Sequence, residues 1–251
     1  MSQLQIWSSM VDGSPKGFES MGKVACIILA RGGSKGIPRK NVLDFCGKPL
    51  VAWSILQALA THEIDEVYLS SDNDEILKVG EDFGSKLIRR PDEFATDAAS
   101  SESAVMHALS TLDYRPEIIV MLEPTAPLRQ ERDLGKSIIQ FRDEQWDSGF
   151  SGAELEDFLI WTKDDNDKLV SVNYDYENQT RRQDRKPDYV ENGAIYLFKP
   201  EILEQNNRFG GNIGIYMMEF WQSFELDNPE DWIFVESLFK QYILEKNNTR
   251  S

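Results

Sequence analysis

The chain has 251 residues, enough to bury one substantial core in one or two domains. Its 41% hydrophobic and 11% aromatic content is that of a globular protein, and no apolar run approaches the roughly 18 residues of a membrane span. A net charge of −16 argues against nucleic acid and membrane as partners, but leaves an anionic small molecule open because the basic residues are clustered.

Residues 1–22 lack the apolar core of a signal peptide and are read as a flexible leader, with Met21 as a second candidate start and a cytoplasmic location as the expectation. KVACIILA at 23–30 is an unbroken apolar run of strand length, the mark of a strand buried on both faces. A glycine-rich basic loop follows, then a predicted helix at 50–60, a strand at 66–71, a helix at 74–83 and a short strand at 86–89. A helix at 102–112, a buried strand at 117–123 and a helix at 132–145 continue the alternation. Strands alternating with helices give crossover units and a mostly parallel sheet.

From about Asp147 the helical spacing disappears, and the pattern predicts short antiparallel strands with acidic turns up to about Pro187. Strands at 193–199 and 213–218 return to the main sheet, and an amphipathic helix runs from about 229 to 246. The fold class is α/β: a Rossmann-like, mostly parallel sheet flanked by helices, in one domain over 23–247 with an excursion at about 147–187. Cys26 and Cys46 form no CxxC pair and the two histidines have no triad partner, so thiolate metal sites, disulfide frameworks and serine–histidine hydrolysis have no support.

Ligands of open α/β sheets bind beyond the carboxyl ends of the strands. Three such ends carry unusual chemistry: the loop after Ala30, the turn after Leu122 and the segment 225–227. ARGGSKGIPRKN at 30–41 is neither a Walker A loop nor a G-x-G-x-x-G fingerprint. Its glycines bring backbone N–H groups toward an anion, and Arg31, Lys35, Arg39 and Lys40 supply the positive charges that a triphosphate requires.

This loop resembles the signature of the CMP-sialic acid synthetases (acylneuraminate cytidylyltransferases), including bacterial members acting on pseudaminic and legionaminic acids. The resemblance continues through RRPDEFATDAASS (89–101), LEPTAPLR (122–129), RRQDRKPDYVENGAIYLF (181–198) and FELDNPEDW (224–232). It implies a nucleotide-diphospho-sugar transferase type of fold and transfer of CMP from CTP, with Mg2+, to the anomeric hydroxyl of a nine-carbon sugar acid. It also implies a homodimer, formed by an antiparallel arm that completes the neighbour's pocket.

By the same resemblance Arg31, Gly33, Ser34 and Lys40 hold the triphosphate, and Asn41 with the backbone at Leu29 and Ala30 reads the base. Arg90 and Ser101 meet the ribose and base, while Arg182, Asn192 and Gly193 lie by the sugar. Arg31, Lys40 and Asp227 are the expected catalytic set. Asp227 and Glu225 are the candidate Mg2+ ligands, with a helix cap weighed as the alternative for Asp227.

Two positions depart from the family's usual residues. Glu225 stands where Asp is usual, and the two acidic residues are expected to point to opposite faces of an extended segment. Glu123 stands where many members place Gln; it is assigned to the sugar, with metal ligation or an ion pair to an arginine such as Arg129 as alternatives. Readings of other kinds are GTP in place of CTP, a sugar-1-phosphate nucleotidyltransferase, and a binding module without activity.

Overall fold

A computed structural model describes residues 22–155, 158–179, 181 and 184–245. The predicted leader therefore falls outside the described residues, apart from Gly22.

Seven strands form the main sheet in the order β11-β7-β10-β6-β1-β4-β5. They are β1 (Val24–Leu29), β4 (Glu66–Ser71), β5 (Lys86–Arg89), β6 (Ile118–Leu122), β7 (Ser148–Glu154), β10 (Tyr189–Phe198) and β11 (Ile213–Met217). Only β10 runs antiparallel to its neighbours, β6 and β7; the remaining pairs are parallel. Two small antiparallel pairs complete the strands: β2 (Asp44–Phe45) with β3 (Lys48–Pro49), and β8 (Trp161–Lys163) with β9 (Leu169–Ser171).

The helices are α1 (Leu50–Leu59), α2 (Asp74–Asp82), α3 (Ser101–Ser110), α4 (Asp133–Asp143) and α5 (Pro229–Phe239). Alternate residues of the buried strands serve opposite faces. Val24, Cys26 and Ile28 pack with Val51, Ile55, Ile76 and Ile138 from α1, α2 and α4. Ala25 and Ile27 pack with Val105 and Ala108 of α3. A third cluster seats α5, through Val235 and Phe239, on Phe45 and Leu50.

The parallel crossovers reverse direction at the centre. From β1 the chain moves outward to β4 and β5, then returns to add β6 on the other side of β1. Such a switch point leaves a crevice outside the carboxyl ends of the two central strands.

The excursion differs from the expectation at its start, and the strand after it differs in where it begins. Residues 148–154 form β7, a full member of the sheet paired to β10 and β11, so the excursion starts only after Glu154. The sequence SGFSGAE hid the strand because small residues replace the usual β-branched ones. The Trp146 ring covers Gly149 and Gly214 so closely that an added Cβ would lie 2.7 and 1.8 Å from ring atoms. β10 likewise begins at Tyr189 rather than Gly193. A register irregularity lies between Glu191 and Tyr196, with Gly193 at φ +64°. The last helix closes with a π turn at Lys240–Leu244.

Candidate active site

The carboxyl edge at the switch point opens into a cleft of about 500 Å³. Its walls come from all three strand ends singled out in the sequence: Arg31, Ser34 and Lys40 from the glycine loop, Glu123 after β6, and Glu225 with Asp227. A wider hollow of about 730 Å³ on the same sheet edge is lined by Arg132, Lys136, Glu154 and Glu219 among others, but no glycine loop reaches it.

The loop sorts its cations by backbone geometry. Arg39 sits at φ 57°, and this left-handed residue turns the chain into the 3-10 turn Lys40–Val42. Arg39 therefore points away from the cleft, onto Glu75. Lys40 and Asn41 turn inward and are 8% and 6% exposed. Lys40 Nζ donates to the Leu226 carbonyl and lies 3.3 Å from Asp227 Oδ1. Asn41 Nδ2 donates to the Arg31 carbonyl at 3.0 Å. Its Oδ1 is buried without a partner, which is costly unless a ligand donor fills the place.

Arg90 directly follows β5 and is fixed by the neighbouring strand, its Nε and Nη2 donating to Ser70 Oγ (3.1 Å) and the Ser70 carbonyl (2.6 Å). Burial pushes its pKa down to about 10, with Asp72 opposing the shift and Arg31 adding to it. Ser101 opens α3 immediately after Ser100, whose hydroxyl caps the helix by accepting from the Ser103 N–H. The positive end of that helix therefore faces the cleft.

On the opposite wall, Leu226 is fully buried and its N–H donates to the Thr125 carbonyl at 2.8 Å. Glu225 and Asp227 flank it and both line the cleft. The expected divergence of the two acids is thus corrected: in extended chain, residues two apart share a face. Asp227 does not cap α5, because Asn228 does, accepting from the Asp231 N–H at 2.9 Å. Asp231 accepts from the N–H groups of Asp227 and Asn228 at 3.0 Å each.

Burial, then Glu123 and Asp227, raise the Glu225 pKa to about 7, against the pull of Lys40. Glu123 is also raised, by burial first, with Arg208 opposing. Its cationic neighbour is Arg208, Nη1 to Oε1 3.9 Å. Arg129 does not pair with the Glu123 carboxylate. It is fully buried and spends its guanidinium on Ser54, Gln57 and the carbonyls of Ala194 and Glu123.

The cleft thus gathers Leu29, Arg31, Ser34, Lys40, Asn41, Arg90, Ser101, Glu123, Glu225 and Asp227. Five other candidates stand off its walls or outside the description. Ala30 is buried, its N–H given to the Ser70 carbonyl. Gly33 sits in the loop with open space around its Cα. Asn192 faces inward, where its amide bonds Ser151, Met218 and the Ala194 N–H within the β10 irregularity, so its side chain is not on the cleft wall. Arg182 lies outside the described residues. Gly193 backs Glu225, since a Cβ there would fall 2.4 Å from Oε1.

Two contributions escaped the sequence reading. The loop after Arg90 lines the cleft with Phe94, Thr96, Asp97 and Ala99; the stretch belongs to the resemblance, but none of these four was singled out. Gly36 lies against the Asp227 backbone, where an added Cβ would be 1.8 Å from the carbonyl oxygen. Gly36→Ala is therefore expected to push loop and acidic segment apart, costing about 1–3 kcal/mol of stability and weakening nucleotide binding with it. An alanine variant with wild-type melting and affinity would mean that the two segments do not touch.

Among the described residues no group of three or more His, Cys, Asp or Glu is arranged to hold a metal ion. Glu225 and Asp227 supply two carboxylates in the same cleft as the basic glycine loop. That donor set suits Mg2+, which takes one or two protein carboxylates and completes its shell with water and substrate phosphate.

The sequence pattern of a family described as "Cytidylyltransferase" matches residues 25–249. A pseudaminic acid cytidylyltransferase of Campylobacter jejuni is 33% identical over 226 residues, covering 87% of this chain and 97% of that protein. N-acylneuraminate cytidylyltransferase A of Danio rerio is 31% identical over 226 residues, covering 89% of this chain but 52% of that protein. The chain thus spans about half the length of the fish relative and nearly all of the bacterial one. Among solved structures, a CMP:2-keto-3-deoxy-manno-octonic acid synthetase complexed with CTP superposes with a TM-score of 0.66 at 17% identity, over 88% of this chain and all of the other. At that identity the likeness is one of fold.

Proposed function

The chain belongs to the cytidylyltransferase family, and on that premise we propose that it transfers CMP from CTP to the anomeric hydroxyl of a sialic-acid-like nonulosonic acid, releasing pyrophosphate. The observation that carries the reading is the single cleft in which a basic glycine loop faces two carboxylates across a switch point. The similar proteins from Campylobacter jejuni and Danio rerio, named for pseudaminic acid and N-acylneuraminate, support the acceptor class. The unpartnered Asn41 Oδ1 favours a base with an exocyclic amino group, which cytosine has and uracil lacks. In the test, pyrophosphate release is followed over four nucleoside triphosphates and a panel of nonulosonic acids. Release should require CTP and an acid together; release with GTP, or with a sugar 1-phosphate as acceptor, would overturn the assignment.

The reaction is in-line displacement at the α-phosphorus, so the protein's part is positioning and charge neutralisation. Arg31 and Lys40 hold the β- and γ-phosphates and take up the charge that develops on the leaving pyrophosphate. Ser34 and the loop backbone add hydrogen bonds, while Arg90 and the start of α3 fix the nucleoside. Asp227 and Glu225 would hold Mg2+, which would supply positive charge against the phosphates and make the attacking hydroxyl more acidic.

Glu123 is placed to accept hydrogen bonds from hydroxyl or acylamido groups of the acceptor. Glu123→Gln keeps the size and removes the charge, so the acceptor KM is expected to change severalfold, about the worth of one hydrogen bond, with the Mg2+ dependence untouched. The reverse pattern would make Glu123 a metal ligand, and wild-type values of both would leave it a structural role.

The excursion after Glu154 is proposed as a dimer arm. Phe158, Leu159, Ile160, Trp161 and Leu169 are exposed in the chain alone, with partial cover from ring contacts of Phe158 with Phe220 and of Trp161 with Tyr174 and Tyr176. An exposed apolar group of this kind marks an interaction surface. Light scattering is expected to give twice the chain mass at micromolar concentration, and a monomer there would reject the arm. No described helix is long and apolar enough to cross a membrane. Both cysteines are free, in keeping with the reducing cytoplasm proposed as its location.

A further inference from the structure

One carboxylate holds two of the glycine loop's four cations. Arg31 Nη1 donates to Asp97 Oδ1 at 2.8 Å, and Lys35 Nζ lies 2.8 Å from Asp97 Oδ2. Both cations line the cleft, and so does the loop that carries Asp97, through Phe94, Thr96 and Ala99. The other two cations are engaged elsewhere, Arg39 by Glu75 and Lys40 by Asp227 and the Leu226 carbonyl.

The pairing is not forced by burial, because the Asp97 side chain is 54% exposed and that of Lys35 is 75% exposed. A carboxylate that gives one oxygen to each of two cations reproduces what a phosphoryl group would offer them. The Lys35 ammonium and then the Arg31 guanidinium hold the Asp97 carboxyl below its ordinary range, so it is an anion at neutral pH.

We infer that Asp97 is an internal counter-ion of the triphosphate subsite, resting on Arg31 and Lys35 when no polyphosphate is bound and displaced when one arrives. The inference depends on reading the cleft as a nucleotide site, and it adds a residue that competes with the substrate for its own ligands. An arriving triphosphate carries more negative charge than one carboxylate and wins the exchange. After the chemical step the exchange runs backward: Asp97 returns to the cations as pyrophosphate departs. No covalent step is involved.

Binding of inorganic pyrophosphate, and separately of CTP, is measured by calorimetry on the wild-type chain and on Asp97→Asn, at low and at physiological salt. The asparagine variant is expected to bind both about two- to tenfold more tightly, the range for loss of exposed ion pairs, and the difference should narrow as salt rises. Asp97→Ser should behave like Asp97→Asn, and Asp97→Glu should return toward wild type. Unchanged or weaker binding in the asparagine and serine variants, with wild-type chain still binding, would overturn the counter-ion role alone. Wild-type chain that binds neither ligand would overturn the nucleotide site and this inference together.

Discussion

Asp227→Asn is expected to lower turnover by about a hundredfold and to raise the Mg2+ concentration needed for half-maximal rate. The substitution keeps the shape of the side chain and removes one negative hard-oxygen ligand proposed for Mg2+, on which the proposed in-line displacement at the α-phosphorus depends. Three features make the position informative. Its side chain is 75% exposed into the cleft, so the variant should fold normally. It does not cap α5, since Asn228 has that task, so helix stability is not at stake. Its remaining contact is Lys40, which stays tied to the Leu226 carbonyl when Asp227 is neutralised. A Mg2+ titration that matches wild type would remove Asp227 from the metal site and leave it as a counter-ion for Lys40.

Lys40→Ala is expected to weaken CTP binding or turnover by about ten- to a hundredfold, the worth of one lost charge-assisted contact at about 1.5–3 kcal/mol. Lys40 is nearly buried, and it ties the glycine loop to the acidic segment as well as lining the cleft. The alanine variant also leaves the Leu226 carbonyl without its donor, so a lower melting temperature should accompany the kinetic loss. Arg31→Ala separates the two effects. The Arg31 side chain is 37% exposed, so its removal should cost at least tenfold in nucleotide affinity while melting stays near wild type. Near-normal kinetics in both variants would take the loop out of the site.

Much of this site was legible before any fold was known, because its most telling parts are local. The strand KVACIILA announces its burial by an unbroken apolar run, and the loop behind it announces an anion site by glycines and cations within twelve residues. Glu123 and Asp227 could be placed because each follows a recognisable strand or precedes a recognisable helix. The same local logic failed where the chain departs from regular patterns. β7 was read as part of an antiparallel excursion rather than of the main sheet, because glycine, serine and alanine fill positions where a large Trp146 ring occupies the space. Asn192 was expected at the sugar, but the irregularity in β10 turns its amide inward to Ser151 and Met218.

By itself the sequence determined the alternation of strands and helices up to about residue 145, the mostly parallel character of the sheet and the clustered charge of the loop at 30–41, because periodicity and clustered charge are written within a few residues. Only the tertiary structure decided which of those charges meet. Arg39 turns out and Lys40 turns in because one residue adopts a left-handed φ. Gly36 touches the Asp227 carbonyl, and Asp97 spans Arg31 and Lys35, because the sheet brings three distant strand ends to one edge. Such contacts depend on register and packing across the whole sheet, which no short stretch of chain encodes.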